Sequence, residues 1–488
     1  MRSAALRALR NARCGALGSI RTLTHPSLSL RSKPGVSIWV SPSRHFSAPA
    51  NLQNETYELG DGIDGERKWS TPLAKQLGEA IEATGPVPLA SFMRMCLTAD
   101  IGGYYTGALE EGRDQFGLKG DFVTSPEISQ VFGELCGIWF VAEWMAQGRR
   151  SQGVELIEVG PGRGTLMDDM LRTIQRFPAM ANSIDAIYMV EASPELRVAQ
   201  KNLLCGEDAP MTESKVGYHS VCKYNALPIV WTETIKSIPI VLRRPPHPRL
   251  RTHLRPRNPN HHPPPPPHPP PPPQTPPPDF QLTLAQSPTR HALYLPESSP
   301  RYRALKTTVG AGALLEICPD ASLYASDFAA RIGGSPQHPK PNPAGAALIL
   351  DYGPGDGTIP TNSLRGIRRH RRVSPFAEPG LTDLSADVDF AALAEAATRA
   401  SEGVEVHGPV GQADFLGLMG IKERVEMLVK AVEGGDGGEQ KVADVRKAWG
   451  RLVDRGPGGM GKVYKALAIL PENEGRRRPV GFGGDVAA

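Results

Sequence analysis

The sequence predicts a doubly wound α/β sheet with an N-terminal helical cap and a proline-rich insertion. Three observations carry that reading. A strand-like run, Val154-Glu155-Leu156-Ile157-Glu158-Val159, enters glycines at alternate positions, Gly160-Pro161-Gly162-Arg163-Gly164-Thr165, and leaves as a helix with Leu166, Met170, Leu171 and Ile174 at helical spacing. A second apolar strand, residues 186–190, follows in the same unit and ends in Glu191. Far downstream, residues 346–350 form another buried-type strand that runs into an acidic glycine turn, Asp351-Tyr352-Gly353-Pro354-Gly355-Asp356-Gly357. Strands alternating with helices imply a mainly parallel sheet that places ligands at the strands' C-terminal ends.

The first glycine turn is the most informative stretch. Glycine removes the Cβ that would separate backbone from ligand, and the helix behind it presents unpaired N–H groups. The spacing is G-x-G-x-G, unlike the G-x-G-x-x-G of dinucleotide binding, which argues against a nicotinamide dehydrogenase. Glu158 stands two residues before the first glycine, and Glu191 is placed to accept hydrogen bonds from two ribose hydroxyls. Together these features resemble a class I S-adenosylmethionine methyltransferase. The resemblance implies S-adenosyl-L-methionine as cofactor, bound by Glu158, Gly160, Pro161, Gly162, Gly164, Thr165 and Glu191. The glycine backbone would line its methionine part, Glu158 would sit near its amino group and Glu191 would hold its ribose.

In chain order, 488 residues allow two to three domains. The net charge of +4 conceals an asymmetry: residues 1–54 hold seven Arg and one Lys and no acid, leaving 47 basic against 51 acidic residues, a net of −4. A mildly acidic body argues against a polyphosphate-binding surface, so no nucleic-acid partner is expected. Residues 1–46 read as a mitochondrial targeting peptide, with Arg2, Arg7, Arg10 and Arg13 interleaved with Leu6, Leu9 and Leu17. Arg44-His45-Phe46-Ser47 resembles a matrix-protease site, which points to the matrix; a disordered basic tail is the other reading. No apolar run reaches about 18 residues, so no transmembrane helix is indicated. The six cysteines form no C-x-x-C pair, which argues against zinc and a disulfide framework.

Residues 47–69 read as a linker and residues 70–150 as the helical cap, with helices opening at Thr71-Pro72 and spanning 89–97 and 127–145. Ser125, Pro126 and Glu127 read either as a helix N-cap or as part of a lid over the cofactor. Residues 151–238 are the first part of the sheet domain. From 239 to 278 the chain carries 19 Pro, six Arg, five His and no acid, which suits polyproline II or disorder. Residues 279–470 are the second part. There Ala313-Leu314-Leu315-Glu316-Ile317 is strand-like, 321–332 helical, 404–406 a strand and 412–432 helical. Residues 365–372 carry five Arg and one His, either a guide for an acidic partner or a solvated loop. Residues 471–488 read as a disordered tail.

Longer stretches add a family. Asp100-Ile101-Gly102-Gly103-Tyr104-Tyr105, Gly120-Asp121-Phe122-Val123-Thr124-Ser125-Pro126-Glu127, Leu350-Asp351-Tyr352-Gly353, Asn362-Ser363-Leu364-Arg365-Gly366 and Pro379-Gly380-Leu381-Thr382-Asp383-Leu384 resemble the MidA family. The likeness covers residues 70–238 and 279–470. That family comprises mitochondrial arginine methyltransferases that assist assembly of respiratory complex I. The resemblance implies symmetric dimethylation of one arginine on the 49 kDa subunit of complex I, with that subunit as partner. A departure accompanies it. The family carries a buried strand ending in His-Glu-Phe-Phe-Asp-Ala-Leu-Pro where this chain carries residues 239–278, and the motif is nowhere in the sequence. Three accounts stand open: a translated intron, a real substitution in a protein that no longer methylates, or a genuine linker with 230–233 or 238–242 as the strand.

Arginine is a poor nucleophile because its guanidinium stays protonated, with a pKa above about 12. A site for it needs carboxylates that orient the fork and favour proton loss. The acids near the expected sheet edge are Asp121, Glu127, Asp351 and Asp356; Asp121, Glu127 and Asp351 are the catalytic candidates. Two other classes remain open: a class I methyltransferase with another substrate, and a non-catalytic assembly factor.

Overall fold

The computed structural model describes residues 68–107, 121, 123–238, 278–283, 285, 289–308, 315–433, 438–456 and 458–483. The expected targeting peptide, the linker to residue 67 and residues 239–277 of the proline-rich insertion lie outside the described residues.

Helix α1 (Pro72–Thr84) starts where expected: the Thr71 hydroxyl accepts from the Ala74 N–H at 2.9 Å, with Pro72 in the first turn. The same hydroxyl donates to Pro379 O at 2.8 Å, tying the helix start to a segment 308 residues further along the chain. Helix α2 (Leu89–Thr98) packs beside it, and Leu73, Leu77, Phe92 and Cys96 form one core with Leu384. The long helix expected next is broken at Ser129 into a single turn, α3 (Ser125–Ile128), and α4 (Gln130–Ala146).

The main sheet is realised in two pieces. Strands β1 (Val154–Val159), β2 (Ile184–Val190) and β5 (Pro228–Thr232) are parallel, and β4 (Tyr218–Val221) and β3 (Thr212–Glu213) extend them antiparallel, in the order β1-β2-β5-β4-β3. The second piece contains β6 (Ala347–Tyr352), β10 (Val404–Gly411) and β11 (Tyr464–Pro471), antiparallel in the order β10-β11-β6. Between β6 and β10, a small sheet is built from β7 (Arg365–Arg368), β8 (Arg371–Val373) and β9 (Asp383–Ser385). β1 ends one piece and β6 the other, and both line one cleft. Among the described residues no strand pairs with the free edge of either.

Helix α4 holds the pieces together. Val131, Phe132, Leu135 and Trp139 share a core with Phe415, Leu416 and the β11 residues Ala466, Ala468 and Leu470. Val141 joins the core under the other piece, with Leu156, Ile187, Met189, Ile229 and Trp231. Each such side chain contributes roughly 1.5–3 kcal/mol by leaving water. Thus α4 belongs to the sheet domain rather than to the expected cap of residues 70–150. Gly133 and Gly137, one turn apart, let α5 (Thr165–Ile174) lie against it. A Cβ on Gly133 would come within 2.5 Å of the Asp169 Cβ, and one on Gly137 within 3.1 Å of the Met170 Cα.

Three further expectations change. Leu315–Cys318 is not a strand: the Glu316 N–H bonds Pro360 O at 3.3 Å, with no ladder partner, while Ala313 and Leu314 lie outside the described residues. The arginine-rich stretch is a hairpin, β7–β8, turning at Arg369 and His370 with φ of 48° and 59°. The tail is ordered to residue 483. Phe482 packs against Trp139 and Phe415, the Trp139 indole donates to Val480 O at 3.0 Å, and Arg477 grips Glu143 with both nitrogens at 2.8 and 2.6 Å. Its Arg- and Gly-rich composition hid these anchors.

No helix among the described residues is long and apolar enough to cross a membrane, and none of their side chains form a group of three or more metal-ligating residues.

Candidate functional site

The glycine turn continues the β1–β2 ladder by one bond, Gly160 N to Val190 O at 3.0 Å, and then departs from it. Gly160, Gly162 and Gly164 have φ of 64°, 54° and 84°, the left-handed region that side chains disfavour. A Cβ at Gly160 would meet nothing within 4 Å, so this backbone faces open space. Gly164 is the N-cap of α5, which begins at Thr165. The turn is locked from below by Gln200 on α6 (Pro194–Cys205), a side chain with no exposed surface. Its amide donates to Gly162 O at 2.6 Å and to Glu191 Oε2 at 3.2 Å, and its oxygen accepts from the Trp231 indole at 2.9 Å.

Glu191, 8% exposed, is the first residue after β2. It accepts from the Ser193 N–H at 2.9 Å as well as from Gln200. Burial raises its pKa, and the hydrogen bonds from Ser193, Gln200 and Ala192 oppose that rise. Each carboxylate oxygen keeps a lone pair for a further donor. Glu158 is the contrasting acid. Its Oε2 is buried without a hydrogen-bond partner, and burial, then the Glu191 charge, pushes its pKa up to about 8. An orphaned buried carboxylate oxygen beside an open glycine cradle calls for a cation or a donor.

Beside the glycine turn stands the one-turn helix α3. Its N-cap is Thr124 rather than Ser125. Glu127 Oε2 accepts from the Thr124 N–H and hydroxyl, both at 3.1 Å, closing a capping box. Glu127 Oε1 has no hydrogen-bond partner and faces Arg163 Nε at 3.9 Å; burial raises the pKa of this acid. Ser125 turns inward and donates to Gln412 Oε1 at 2.9 Å. Cap and cleft wall are therefore the same residues: Thr124, Ser125 and Glu127 all line the cleft.

The remaining acids separate. Asp351, near the C-terminal end of β6, lines the cleft and accepts from the Tyr352 N–H at 2.7 Å; burial pushes its pKa up to about 6. Asp121 does not line it. Its carboxylate is engaged by the Tyr104 hydroxyl at 2.8 Å and the Arg369 N–H at 2.7 Å, so it clamps the arginine-rich hairpin to the α2 loop. Asp356 is a turn acid, accepting from the Thr358 N–H at 3.0 Å and hydroxyl at 2.7 Å, and these bonds lower its pKa. The cleft, about 2130 Å³, is thus lined by the glycine turn, Glu158, Glu191 and Asp351. Gln200 was missed from sequence; its only signal is a polar residue on the buried face of the helix after Glu191. The residues fit a ligand with a cationic amine, a ribose and a reactive centre near the glycines.

Residues 135–410 match a family model described as "Putative S-adenosyl-L-methionine-dependent methyltransferase". The chain is similar to the mitochondrial protein arginine methyltransferase NDUFAF7 of Rattus norvegicus, 34% identical over 410 residues, covering 82% of this chain and 85% of the relative. The Homo sapiens protein of the same name is 32% identical, over 82% of this chain and 84% of the relative. The Drosophila melanogaster homologue is 33% identical, over 82% and 85%. A crystal structure from Burkholderia thailandensis bound to S-adenosyl-homocysteine shares the fold, with a TM-score of 0.50 and 19% identity over 84% of this chain and 92% of that one.

Proposed function

The chain belongs to the S-adenosyl-L-methionine-dependent methyltransferase family, and within it we propose that it methylates the guanidinium of a protein arginine. It has the family's class I α/β fold, and S-adenosyl-L-methionine is its cofactor. The observation that carries the arginine reading is Asp351: a partly buried carboxylate without an ion-pair partner among the described residues, lining the same cleft as the glycine turn. The names of the relatives support it.

The bound cofactor supplies an electrophilic methyl group. The backbone of Gly160, Gly162 and Gly164, with Pro161 and Thr165, admits its methionine part. Glu158 gains the cation that its buried Oε2 lacks, and Glu191 receives the ribose. Asp351 orients the guanidinium and takes up its proton as the new bond forms, a task suited to an acid whose pKa lies near working pH. Glu127 lines the cleft beside Arg163, and Asp121 acts by holding the hairpin.

We further assign symmetric dimethylation, with the 49 kDa subunit of complex I as target, from the family resemblance. From their composition, residues 1–46 deliver the protein to the mitochondrial matrix, and residues 151–238 and 279–470, joined by α4 from the expected cap of residues 70–150, form the catalytic domain. Incubation with labelled S-adenosyl-L-methionine and the purified subunit tests this. Symmetric dimethylarginine in the hydrolysate supports it; label on another residue type refutes it.

A second reading has one observation in its favour: no strand among the described residues covers the free edges of β1 and β6. In it the chain binds the subunit without methylating it, and the same incubation gives a complex without label.

A further inference from the structure

The arginine-rich hairpin β7–β8 breaks two local rules. Its register pairs Arg371 with Arg368, Arg372 with Ile367 and Val373 with Gly366, which leaves Arg369 and His370 as a two-residue turn. Both turn residues have positive φ, 48° and 59°. Turns of that kind favour Asn-Gly, because larger side chains resist the left-handed region. The register also sets Arg368 directly opposite Arg371, and like charges resist that position. Arg368 is answered by an ion pair with Glu378. Arg369, Arg371 and Arg372 are exposed and form no ion pair among the described residues.

The turn is held all the same. The Asp121 carboxylate accepts from the Arg369 N–H at 2.7 Å, and the Asp121 carbonyl accepts from the His370 N–H at 3.0 Å. The Tyr104 hydroxyl donates to the same carboxylate at 2.8 Å. Asp121 and Tyr104 are 3% and 2% exposed, so the clamp is set in packed protein. A disfavoured turn kept by a buried clamp is a built feature, and such features gather at binding sites.

Register also locates the free cations. Residues opposite each other in a sheet share a face, with Cβ atoms about 4.5–5.5 Å apart. Ile367 lies opposite Arg372 on one side and opposite Asp383 on the other. Ile367 and Asp383 line the cleft. The row Asp383, Ile367, Arg372 therefore runs outward from the cleft and ends on an exposed cation at its rim. The positive field stays local. Asp121, Glu378, Asp383 and Asp387 are bonded to the hairpin's strands and turn, and the chain beyond residue 54 holds 47 basic against 51 acidic residues. A phosphate backbone needs a continuous basic surface, whereas a single carboxylate is satisfied by one guanidinium fork.

Resting on the arginine reading above, we infer that Arg369, Arg371 and Arg372 form a docking surface for an acidic segment of the protein substrate. The arginine admitted to the cleft is then one flanked by Asp or Glu.

The test measures binding of two synthetic peptides to the full chain saturated with S-adenosyl-homocysteine. Both carry a central Arg; one has flanking Glu residues and the other has Gln at the same positions. Wild type is expected to bind the Glu peptide at least tenfold more tightly, with the preference shrinking as salt rises, since exposed charges are screened. Arg369→Ser, Arg371→Ser and Arg372→Ser combined should reduce the preference to within twofold. Arg372→Ser alone, which leaves the turn intact, should reduce it about threefold. S-adenosyl-homocysteine affinity within twofold of wild type checks folding in both variants. Equal binding of the two peptides by wild type, or no binding of either, overturns the inference, as does a preference that survives in the combined variant. Single-stranded RNA that displaces the Glu peptide at equal charge concentration overturns it in favour of a phosphate ligand. Methyl transfer is measured alongside, and the variants should raise KM for the Glu peptide while leaving kcat within twofold. If both peptides are methylated with the same KM, the docking surface is wrong and the activity stands. If the Glu peptide binds through these arginines but nothing is methylated, the activity is wrong and the docking surface stands.

Discussion

Glu158 and Gln200 show how far single residues can be read. Glu158 is legible from its place two residues before a glycine turn, but its orphaned Oε2 is not, because burial depends on what packs across β1. Its raised pKa makes a pH prediction. In the unliganded protein the folded state keeps a proton on Glu158 up to about pH 8, whereas the unfolded chain releases it near 4.5. The folded state therefore binds more protons in that window, so this residue's contribution to stability is full below pH 4.5 and is lost as pH rises toward 8. Glu158→Gln should show a flatter dependence, melting progressively higher than wild type as pH rises, and saturating S-adenosyl-L-methionine should narrow the gap. Parallel melting curves for the two proteins across that range would remove Glu158 from the amine site. Gln200 could not be found from spacing, since its three partners sit on three different elements. Gln200→Ala leaves the Trp231 N–H and the Gly162 carbonyl without partners. It should cost about 2–4 kcal/mol in denaturant unfolding, from unsatisfied buried groups at about 1–3 kcal/mol each. Cofactor affinity should fall about tenfold because the turn loses its support; normal affinity by calorimetry would make Gln200 purely structural.

Elements were legible wherever a periodic apolar pattern met its own stop signal. β1, β2, β6, α1 and α2 start or end within a few residues of expectation, because Thr71, the glycine turns and the apolar runs act locally. The failures lie where the partner is distant. Ala313-Leu314-Leu315-Glu316-Ile317 has strand composition, yet Leu315–Cys318 has no ladder partner, and a strand requires one. The chain end has loop composition, yet residues 476–483 dock on α4. Arg477→Ala tests that docking. It strands Glu143, which is 1% exposed, as an unpaired buried carboxylate. The expected cost is about 3 kcal/mol, the low end for a broken buried pair because Arg477 is partly exposed. Glu143→Leu in the same chain should recover most of it, since an apolar side chain there needs no partner. Loss of stability in the single variant without recovery in the double would mean that Arg477 acts through packing rather than charge.

At the scale of the whole molecule, the sheet is the feature that the sequence foretold by a gap. Residues 239–278 replace the stretch that in the family resemblance holds a central strand, and the structure has two sheet pieces whose inner edges, β1 and β6, face one cleft. The consequences are visible on the edge residues. Every residue of β6 is only partly buried although four of its six are Ala, Leu or Ile, and Val159 at the end of β1 is 38% exposed. Strands of this composition are stable when both faces and both edges are covered. Exchanging residues 239–278 for an apolar strand ending in His-Glu-Phe-Phe-Asp-Ala-Leu-Pro should therefore join the pieces. The new strand would bury its apolar side chains and give β1 and β6 each a ladder partner, so the Tm should rise. The new strand would lie beside Glu158, so cofactor affinity should rise with Tm and any methyl transfer should increase. An unchanged Tm with unchanged affinity would mean that the cleft between β1 and β6 is not the vacancy of a strand. The open edges would then count for the binding-only protein and against the enzyme.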